Sequence, residues 1–413
     1  MIKLNEEAGR CLLCKNPRCK HSCPINTPIP EVIDLFKKGE LTKAGEMLFD
    51  NNPLSIICSI VCPHEEQCKG SCIKGIKDVP ISFHEIEKHI SMNFLENVEL
   101  KPKNKLEDRI AIVGAGPAGL TIAFILARKG YKVTIFESKE KIGGVLRYGI
   151  PEFRLPKSIL DKIEEKLVQL GVKIRPNTLI GPVITIDKLF SDGYKAVFIG
   201  TGVWNPKTLN IKGESLGNVH YAIDYLKAPQ VYSLGKRVCV IGAGNVAVDA
   251  ARTAKRNGSS EVYILYRKDF EDMTATKAEI EEAKEDGVQF ELFKAPVEIL
   301  EEGVKYISTK KTVDENGKVR IVSVEGTESL FECDSVIVAV SQSPRNNIVL
   351  NNKGFETTKQ GLLVTDELGH TTREGVFASG DVVTGARTVV VAVNHAKTVA
   401  DTIDRFCTEL RNE

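Results

Sequence analysis

Hydrophobic positions along the chain fall into two kinds of run. Ile110–Val113, Val133–Phe136, Glu261–Tyr266 and Asp334–Val340 are short, mostly unbroken apolar stretches of the kind buried parallel strands require. The same pattern closes Ala196–Gly202 and Gly375–Asp381 on glycine-containing turns. Between these lie longer stretches with helical spacing. Leu120–Lys129 is stopped by Gly130, Ser158–Gly171 precedes a short strand at Val172–Ile174, and Thr388–Phe406 lies near the C-terminus. Strand, helix and strand in alternation predict an α/β fold with parallel sheets. The first hundred residues differ. Ile29–Asn51 reads as helix, opened by Pro28 and Pro30, carrying Val32, Ile33, Leu35 and Phe36, and broken at Gly39 before a second helix at about Thr42–Phe49. Ile81–Leu95 is amphipathic and helical, and Lys101–Asp108 reads as a polar linker. The head is therefore predicted to be all-α.

The most informative stretch is Arg109–Glu137. Gly114, Gly116 and Gly119 stand at G-x-G-x-x-G spacing, directly after one strand and at the start of a helix, with Ala115, Pro117 and Ala118 between them. Glu137 ends the next strand, 18 residues past Gly119. The first glycine permits the tight turn, the second lets backbone N–H groups approach a pyrophosphate, and the third lets helix and strand pack closely. A carboxylate at the Glu137 position suits ribose hydroxyls. The pattern recurs at Gly242, Gly244 and Ala247, after the strand Lys236–Gly242 and before a helix reaching about Asn257. Here the following strand ends on Arg267 and Lys268 rather than an acid, which favours a 2′-phosphate and hence NADPH over NADH. The Gly-Thr-Gly turn at residues 200–202 and the Gly380–Asp381 turn make FAD the first dinucleotide, although Asp381 also suits a helix cap. A repeat at 114 and 242, with the Gly-Asp turn beyond both, predicts a second nucleotide unit inserted into the first.

Composition changes the picture at one place. The chain has 413 residues, a net charge of +1 and 42% apolar residues, which suits a soluble multidomain protein and gives no support to nucleic-acid binding. No apolar run suggests a membrane span or signal core, so a cytoplasmic location is expected. The cysteines, however, are concentrated: eight of eleven precede residue 73. They read Cys11, Cys14, Cys19, Cys23-Pro and Cys58, Cys62-Pro, Cys68, Cys72. In a reducing compartment such density means metal. The Cys-Pro endings suit two 4Fe–4S clusters; two zinc sites are the alternative, but only Cys11/Cys14 has the C-x2-C knuckle spacing. Arg10, Lys15, Arg18 and Lys20 either help to hold an anionic cluster or form a solvated loop. His21, His64 and His84 are expected to be ordinary packing residues.

These motifs, in this order, resemble the electron-input family of the glutamate synthase small subunit and dihydropyrimidine dehydrogenase, and most of all the separate small subunit of bacterial dihydropyrimidine dehydrogenases. The resemblance rests on both cysteine sets, VGAGPAGL, GGVLRYGIPEFRLPK, VIGAGNVAVDAARTA, LYRK and FASGDVV. It implies two nucleotide domains of the pyridine nucleotide-disulfide reductase type behind a helical iron–sulfur head. The expected bounds are 1–105 for the head, 106–228 with 346–413 for FAD, and 229–345 for NAD(P)H. It also implies that Cys11, Cys14, Cys19 and Cys72 hold one cluster, and that Cys23, Cys62, Cys68 and Glu87 hold the other. Spacing alone would make Cys58 the eighth ligand. For FAD it implies Gly114–Ala118, Glu137, Gly144, Val145, Arg154, Gly380, Asp381 and Thr388. For the nicotinamide nucleotide it implies Gly244, Asn245, Val246, Ala247, Arg267, Lys268, Ala339 and Ser341. Two departures stand out: Thr274 replaces a further cation found in some NADPH-using relatives, and Ser341 replaces a common glycine.

The expected chemistry is hydride transfer from NADPH (or NADH) to FAD, then single electrons through two clusters. No general base is needed, so no catalytic side chain is assigned. Two clusters imply a distant acceptor, and a partner subunit carrying FMN, pyrimidine-reducing or glutamate synthase-like, is expected. The alternative is a stand-alone or bifurcating oxidoreductase acting on ferredoxin or a sulfur compound. A dithiol reductase would need a C-x2-C beside the flavin, where the nicotinamide domain offers only Cys239.

Overall fold

The computed structural model describes residues 2–315 and 317–412. The chain forms two compact units. The first comprises residues up to Leu146, Glu152–Val203 and everything from Pro344 onward; the second comprises Arg147–Pro151 and Trp204–Ser343.

The head belongs to the first unit. Its helices include Ile2–Gly9, Ile29–Lys37, Leu41–Asn51, Ser55–Val61 and Phe83–Asn97. Ile29, Val32, Ile33 and Phe36 recur at i, i+3, i+4 and i+7, and that face is buried. It packs with Leu48, Phe83, Ile86 and Ile90, against which Cys11, Cys19, Cys68 and Cys72 lie half-buried. The head also packs on the neighbouring layer. Phe49 packs between Phe94 and Phe124, each 5.3 Å away between ring centroids, and Arg128 lies over the Phe49 ring while pairing with Asp50. The expected linker is tied down rather than loose: the Lys103 and Leu106 N–H groups donate to the carbonyls of Arg128 and Gly130.

Behind the head stands a five-stranded parallel sheet in the order Val376–Ala378, Tyr194–Ile199, Arg109–Val113, Lys132–Phe136, Lys173–Arg175. Val113 is in register with Phe136 and with Ile199, and Ala378 with Ile199. The turns following four strands therefore gather at one carboxyl edge, where open α/β sheets bind ligands. The C-terminal helix, Val389–Asn412, packs on Pro117–Lys129 and is pinned by Lys129, which pairs with Asp401 at 2.9 Å and Asp404 at 2.8 Å.

The second unit has its own parallel sheet in the order Val219–Tyr221, Ser335–Val338, Arg237–Ile241, Glu261–Tyr266, Val288–Leu292. The helix Asn245–Arg256 buries its alanine-rich face, including Ala247, Ala250, Ala251 and Ala254, against that sheet. An antiparallel sheet of Lys294–Leu300, Gly303–Val313, Val319–Ser323 and Ser329–Glu332 also belongs to this unit. The sequence reading did not contain it, because its strands mix charges and β-branched residues without clean alternation.

Candidate cofactor and metal sites

At the edge of the first sheet, sterics define the glycine loop. Gly114 has φ +102°, and a Cβ there would meet the Gly200 carbonyl oxygen at 2.6 Å. A Cβ on Gly119 would meet the Gly114 carbonyl oxygen at 2.0 Å, so only glycine lets this helix sit against its strand. Gly116 is different: the nearest atom to its Cβ position is 3.9 Å away, so the protein leaves that side of the loop free. The Ala115 N–H donates to Glu137 Oε2 at 2.7 Å, and Lys139 N–H donates to Oε1 at 2.9 Å, which fixes the buried carboxylate at the strand end. Gly143 N–H donates to the Ala115 carbonyl, laying the Gly143–Gly144–Val145 turn across the loop.

Across the same edge, Gly380 (φ +76°) places Asp381 at the start of a short helical turn. Burial pushes the Asp381 carboxyl up to about 6, and the Arg387 N–H bond at 3.2 Å offsets this only partly. Ser379 is fully buried and its Oγ has no hydrogen-bond partner among the described residues. The sequence reading passed over Ser379 although it sits inside the Ala-Ser-Gly-Asp motif. An open glycine loop, an acid at the second strand end and orphaned polar groups opposite fit a dinucleotide such as FAD. Thr388 is exposed at the N-terminus of the C-terminal helix, and Arg154 is half-buried in the same unit.

The second unit repeats the geometry. Gly242 has φ +143°, and a Cβ on it would meet the Ala339 carbonyl oxygen at 2.4 Å. Gly244 is again the roomier position, with only Thr274 Oγ1 at 3.1 Å. Thr274, noted for replacing a cation, thus faces the glycine loop. Asn245 Nδ2 donates to Glu279 Oε1 at 3.1 Å, and Glu279 is itself held in a capping box with Thr276. Val246 is half-buried beside the buried Ala247. The two expected cations separate. Arg267 is exposed and makes no ion pair among the described residues, whereas Lys268 is drawn to Asp272 at 3.8 Å. Asp269 and Asp272 also engage Lys311, a residue with no signal in the sequence pattern. Ser341 takes φ +89°, the left-handed region that the glycine expected there would occupy without strain. Cys333, which the sequence pattern did not single out, lies beside Cys239; both are buried core thiols, Cys239 on a strand and Cys333 in the connection before Ser335–Val338, not an exposed C-x2-C.

The head's thiols fall into two neighbourhoods. Burial first, then the charges of Cys14 and Cys72, push the Cys11 thiol up; burial and the charges of Cys72, Cys11 and Cys14 push Cys19 up to about 11. Cys68 is pushed up to about 12 by burial, followed by the charges of Glu87 and Cys23. Cys62 is raised by its hydrogen bond with Cys58, by burial, and by the charges of Cys58, Glu87 and Cys23. Cys11, Cys14, Cys19 and Cys72 thus act on one another, as do Cys23, Cys62, Cys68 and Glu87; the Cys19 charge also reaches Cys68, and Cys58 is hydrogen-bonded to Cys62. Glu87 is buried, and burial and the Cys58 charge hold its carboxyl well above the usual range. A buried carboxylate facing thiols, with no ion pair among the described residues, suits an anionic ligand of a metal centre. Among the described residues no three acidic, His or Cys side chains stand close enough to hold a single metal ion. The second neighbourhood reaches the C-terminal helix: the Cys23 charge acts on Lys397, whose Nζ donates to Asn51 Oδ1 at 3.0 Å. His64 stacks on His84 at 4.4 Å, and burial takes its ring down to about 4, so both act as neutral packing groups at pH 7.

Two nucleotide-type sheets and a cysteine-bearing helical head in one chain define an FAD- and NADPH-type oxidoreductase with an iron–sulfur domain. The family pattern of the pyridine nucleotide-disulphide oxidoreductases matches residues 108–396, and that of dihydropyrimidine dehydrogenase domain II, 4Fe-4S cluster, matches residues 2–99. The chain belongs to this pyridine nucleotide-dependent oxidoreductase family, in the branch that contains glutamate synthase small subunits. It is 32% identical to the glutamate synthase [NADPH] small chain of Escherichia coli over 96% of this chain and 90% of that protein. It is 32% identical to the NADPH-Fe(3+) oxidoreductase subunit beta of Geobacter sulfurreducens and 33% to the NADP(+)-dependent formate dehydrogenase subunit beta of Moorella thermoacetica, spanning 64% and 59% of those longer chains. Mycobacterium tuberculosis FprA in complex with NADPH shares the fold, with a TM-score of 0.63 over 74% of this chain and 86% of that one, at 19% identity. No helix among the described residues is long and apolar enough to cross a membrane.

Proposed function

We propose that this protein is the NADPH-oxidising input subunit of a larger oxidoreductase, holding FAD at the first sheet edge, the nicotinamide nucleotide at the second, and two 4Fe–4S clusters in the head. When bound, FAD would supply hydride acceptance from NADPH, and the clusters would supply single-electron transfer onward. The chain's own residues bind and orient. Glu137 fixes the loop through Ala115 and offers its remaining acceptor capacity to ribose; the Gly116 side of the loop leaves backbone N–H groups for the pyrophosphate; Arg267 supplies the free cation for a 2′-phosphate. The observation that supports the reading is that eight thiols and a buried carboxylate gather in the head, with Cys23 acting on Lys397 of the C-terminal helix of the flavin-type module. Such a ligand set has use only if electrons leave the chain.

The reading takes Glu87 as eighth ligand, because its charge acts on both Cys62 and Cys68; Cys58, hydrogen-bonded to Cys62, is the competing ligand. Glu87→Ala is expected to lower bound iron by up to about half, with Cys58→Ala close to wild type; the reverse outcome makes Cys58 the ligand. The overall reading is tested by anaerobic purification from native extract with iron and flavin assayed. A co-eluting FMN protein, reduced by NADPH only in the complex, supports it. A chain that elutes alone and turns over with soluble carriers supports the stand-alone reductase instead.

A further inference from the structure

The segments that carry Cys11, Cys14 and Cys72 also expose apolar side chains. Leu12 is 60% exposed and Leu13 37%, between Cys11 and Cys14; Ile73 is 42%, Ile76 64% and Val79 62% exposed, directly after Cys72. The two segments are adjacent. Arg10 pairs with Asp78 and donates to the Val79 carbonyl, and the Cys72 and Cys14 charges both act on Cys11. Elsewhere among the described residues, strongly exposed apolar side chains such as Val183, Val231 and Leu350 stand singly, apart from the cross-strand pair Val313 and Val319, which lies away from any cysteine in sequence. Leu13 is held at φ +47°, a conformation that L residues adopt at a cost, so the turn that gathers Cys11 and Cys14 also turns Leu12 and Leu13 outward.

The rim of this patch is cationic. Residues 10–23 contain Arg10, Lys15, Arg18 and Lys20 and no acid. The acid nearest the patch, Asp78, is already engaged by Arg10 and Lys74. Lys15, Arg18 and Lys77 are exposed and make no ion pair among the described residues.

We infer that this patch is where the electron-accepting protein docks, and that the acceptor presents an apolar centre ringed by carboxylates and carries a one-electron redox group. The inference rests on the input-subunit reading and adds its exit face. An apolar contact excludes water at the point of transfer, while unpaired cations around it steer an acidic partner and repel a basic one. Each NADPH oxidised reduces two one-electron acceptors and releases one proton.

The test uses the anaerobically purified holoprotein and two probes of opposite charge, plant plastocyanin (an acidic blue-copper protein) and the basic cytochrome c. Wild type is expected to reduce plastocyanin at least about tenfold faster than cytochrome c at low ionic strength, with the gap closing as salt rises. Lys77→Glu narrows or inverts that preference at unchanged iron and FAD content. Ile76→Ser slows both probes several-fold without touching the ratio. Equal rates with both probes in wild type, or a preference unmoved by Lys77→Glu, overturns the inference. So does failure to reduce either probe while NADPH still bleaches the visible absorbance of the holoprotein. If NADPH bleaches nothing, the input-subunit reading itself fails and takes this inference with it.

Discussion

Two glycines three residues apart make opposite demands, and this separates what the fold needs from what the ligand needs. In Gly119→Ala the new Cβ lies 2.0 Å from the Gly114 carbonyl oxygen and 3.2 Å from Ile112 Cγ2. The oxygen belongs to the backbone, so relief requires moving helix Pro117–Lys129 off its strand by more than 1 Å relative to ordinary contact. Overpacking of this kind costs about 3 kcal/mol. In a unit of this size that is a melting shift of roughly 5–10 °C. In Gly116→Ala the Cβ meets nothing closer than 3.9 Å, and the backbone at φ −78°, ψ −176° is ordinary extended geometry for alanine. The flavin-free protein should therefore melt no lower than wild type, with a gain of roughly 0.4–1 kcal/mol from the stiffer unfolded chain. FAD affinity should nevertheless fall about 100-fold, equivalent to about 2.7 kcal/mol, because the methyl occupies the side from which the loop N–H groups are approached. Thermal melting of flavin-free protein and titration with FAD by fluorescence quenching read the two effects separately. If Gly116→Ala binds FAD as wild type does, the loop is not the pyrophosphate cradle. If Gly119→Ala melts with wild type, the steric argument is wrong.

Three further outcomes follow from the same geometry. Arg267→Ala should lower the NADPH:NADH ratio of kcat/KM about tenfold or more, with Lys268→Ala less effective because Asp272 already holds that amine; equal effects would place both cations on the phosphate. The Asp381 carboxyl, raised to about 6 from an ordinary 3.8, stabilises the flavin-free fold fully below pH 3.8 and loses that contribution as pH rises through about 6. Asp381→Asn should accordingly raise the melting temperature at pH 7 by an amount equivalent to about 2 kcal/mol and flatten the profile between pH 4 and 7, read by melting scans across pH. Ser341→Gly should stabilise the second unit by up to about 1 kcal/mol in urea titration, since relief of the left-handed backbone outweighs the added freedom of the unfolded chain.

The parallel strands and glycine loops were legible in the sequence because both depend on local patterns: an unbroken apolar run, and glycines whose absence of Cβ is the point. Strand ends at Glu137 and Tyr266 are observed within a residue of expectation. The antiparallel sheet of residues 294–332 was not legible, since half-exposed strands such as Gly303–Val313 read as polar loop. Lys397 near Cys23 was invisible for a different reason: the two are 374 residues apart, and only the folded chain brings them together. The difference between Arg267 and Lys268 likewise depends on Asp272, which no motif names.

The first unit is built from segments on both sides of the second in the chain. Its outermost strand, Val376–Ala378, and the helix Val389–Asn412 are synthesised after the second unit, whereas all eight head cysteines and Glu87 are synthesised before it. During synthesis the head is exposed before the layer it leans on exists, and the second unit can close before the first is complete. Truncation near the C-terminus would therefore strike hardest at the N-terminal half of the molecule. The helix Val389–Asn412 acts as a timing element: until it is made, the flavin-type sheet lacks its covering helix and Lys397 cannot meet Asn51.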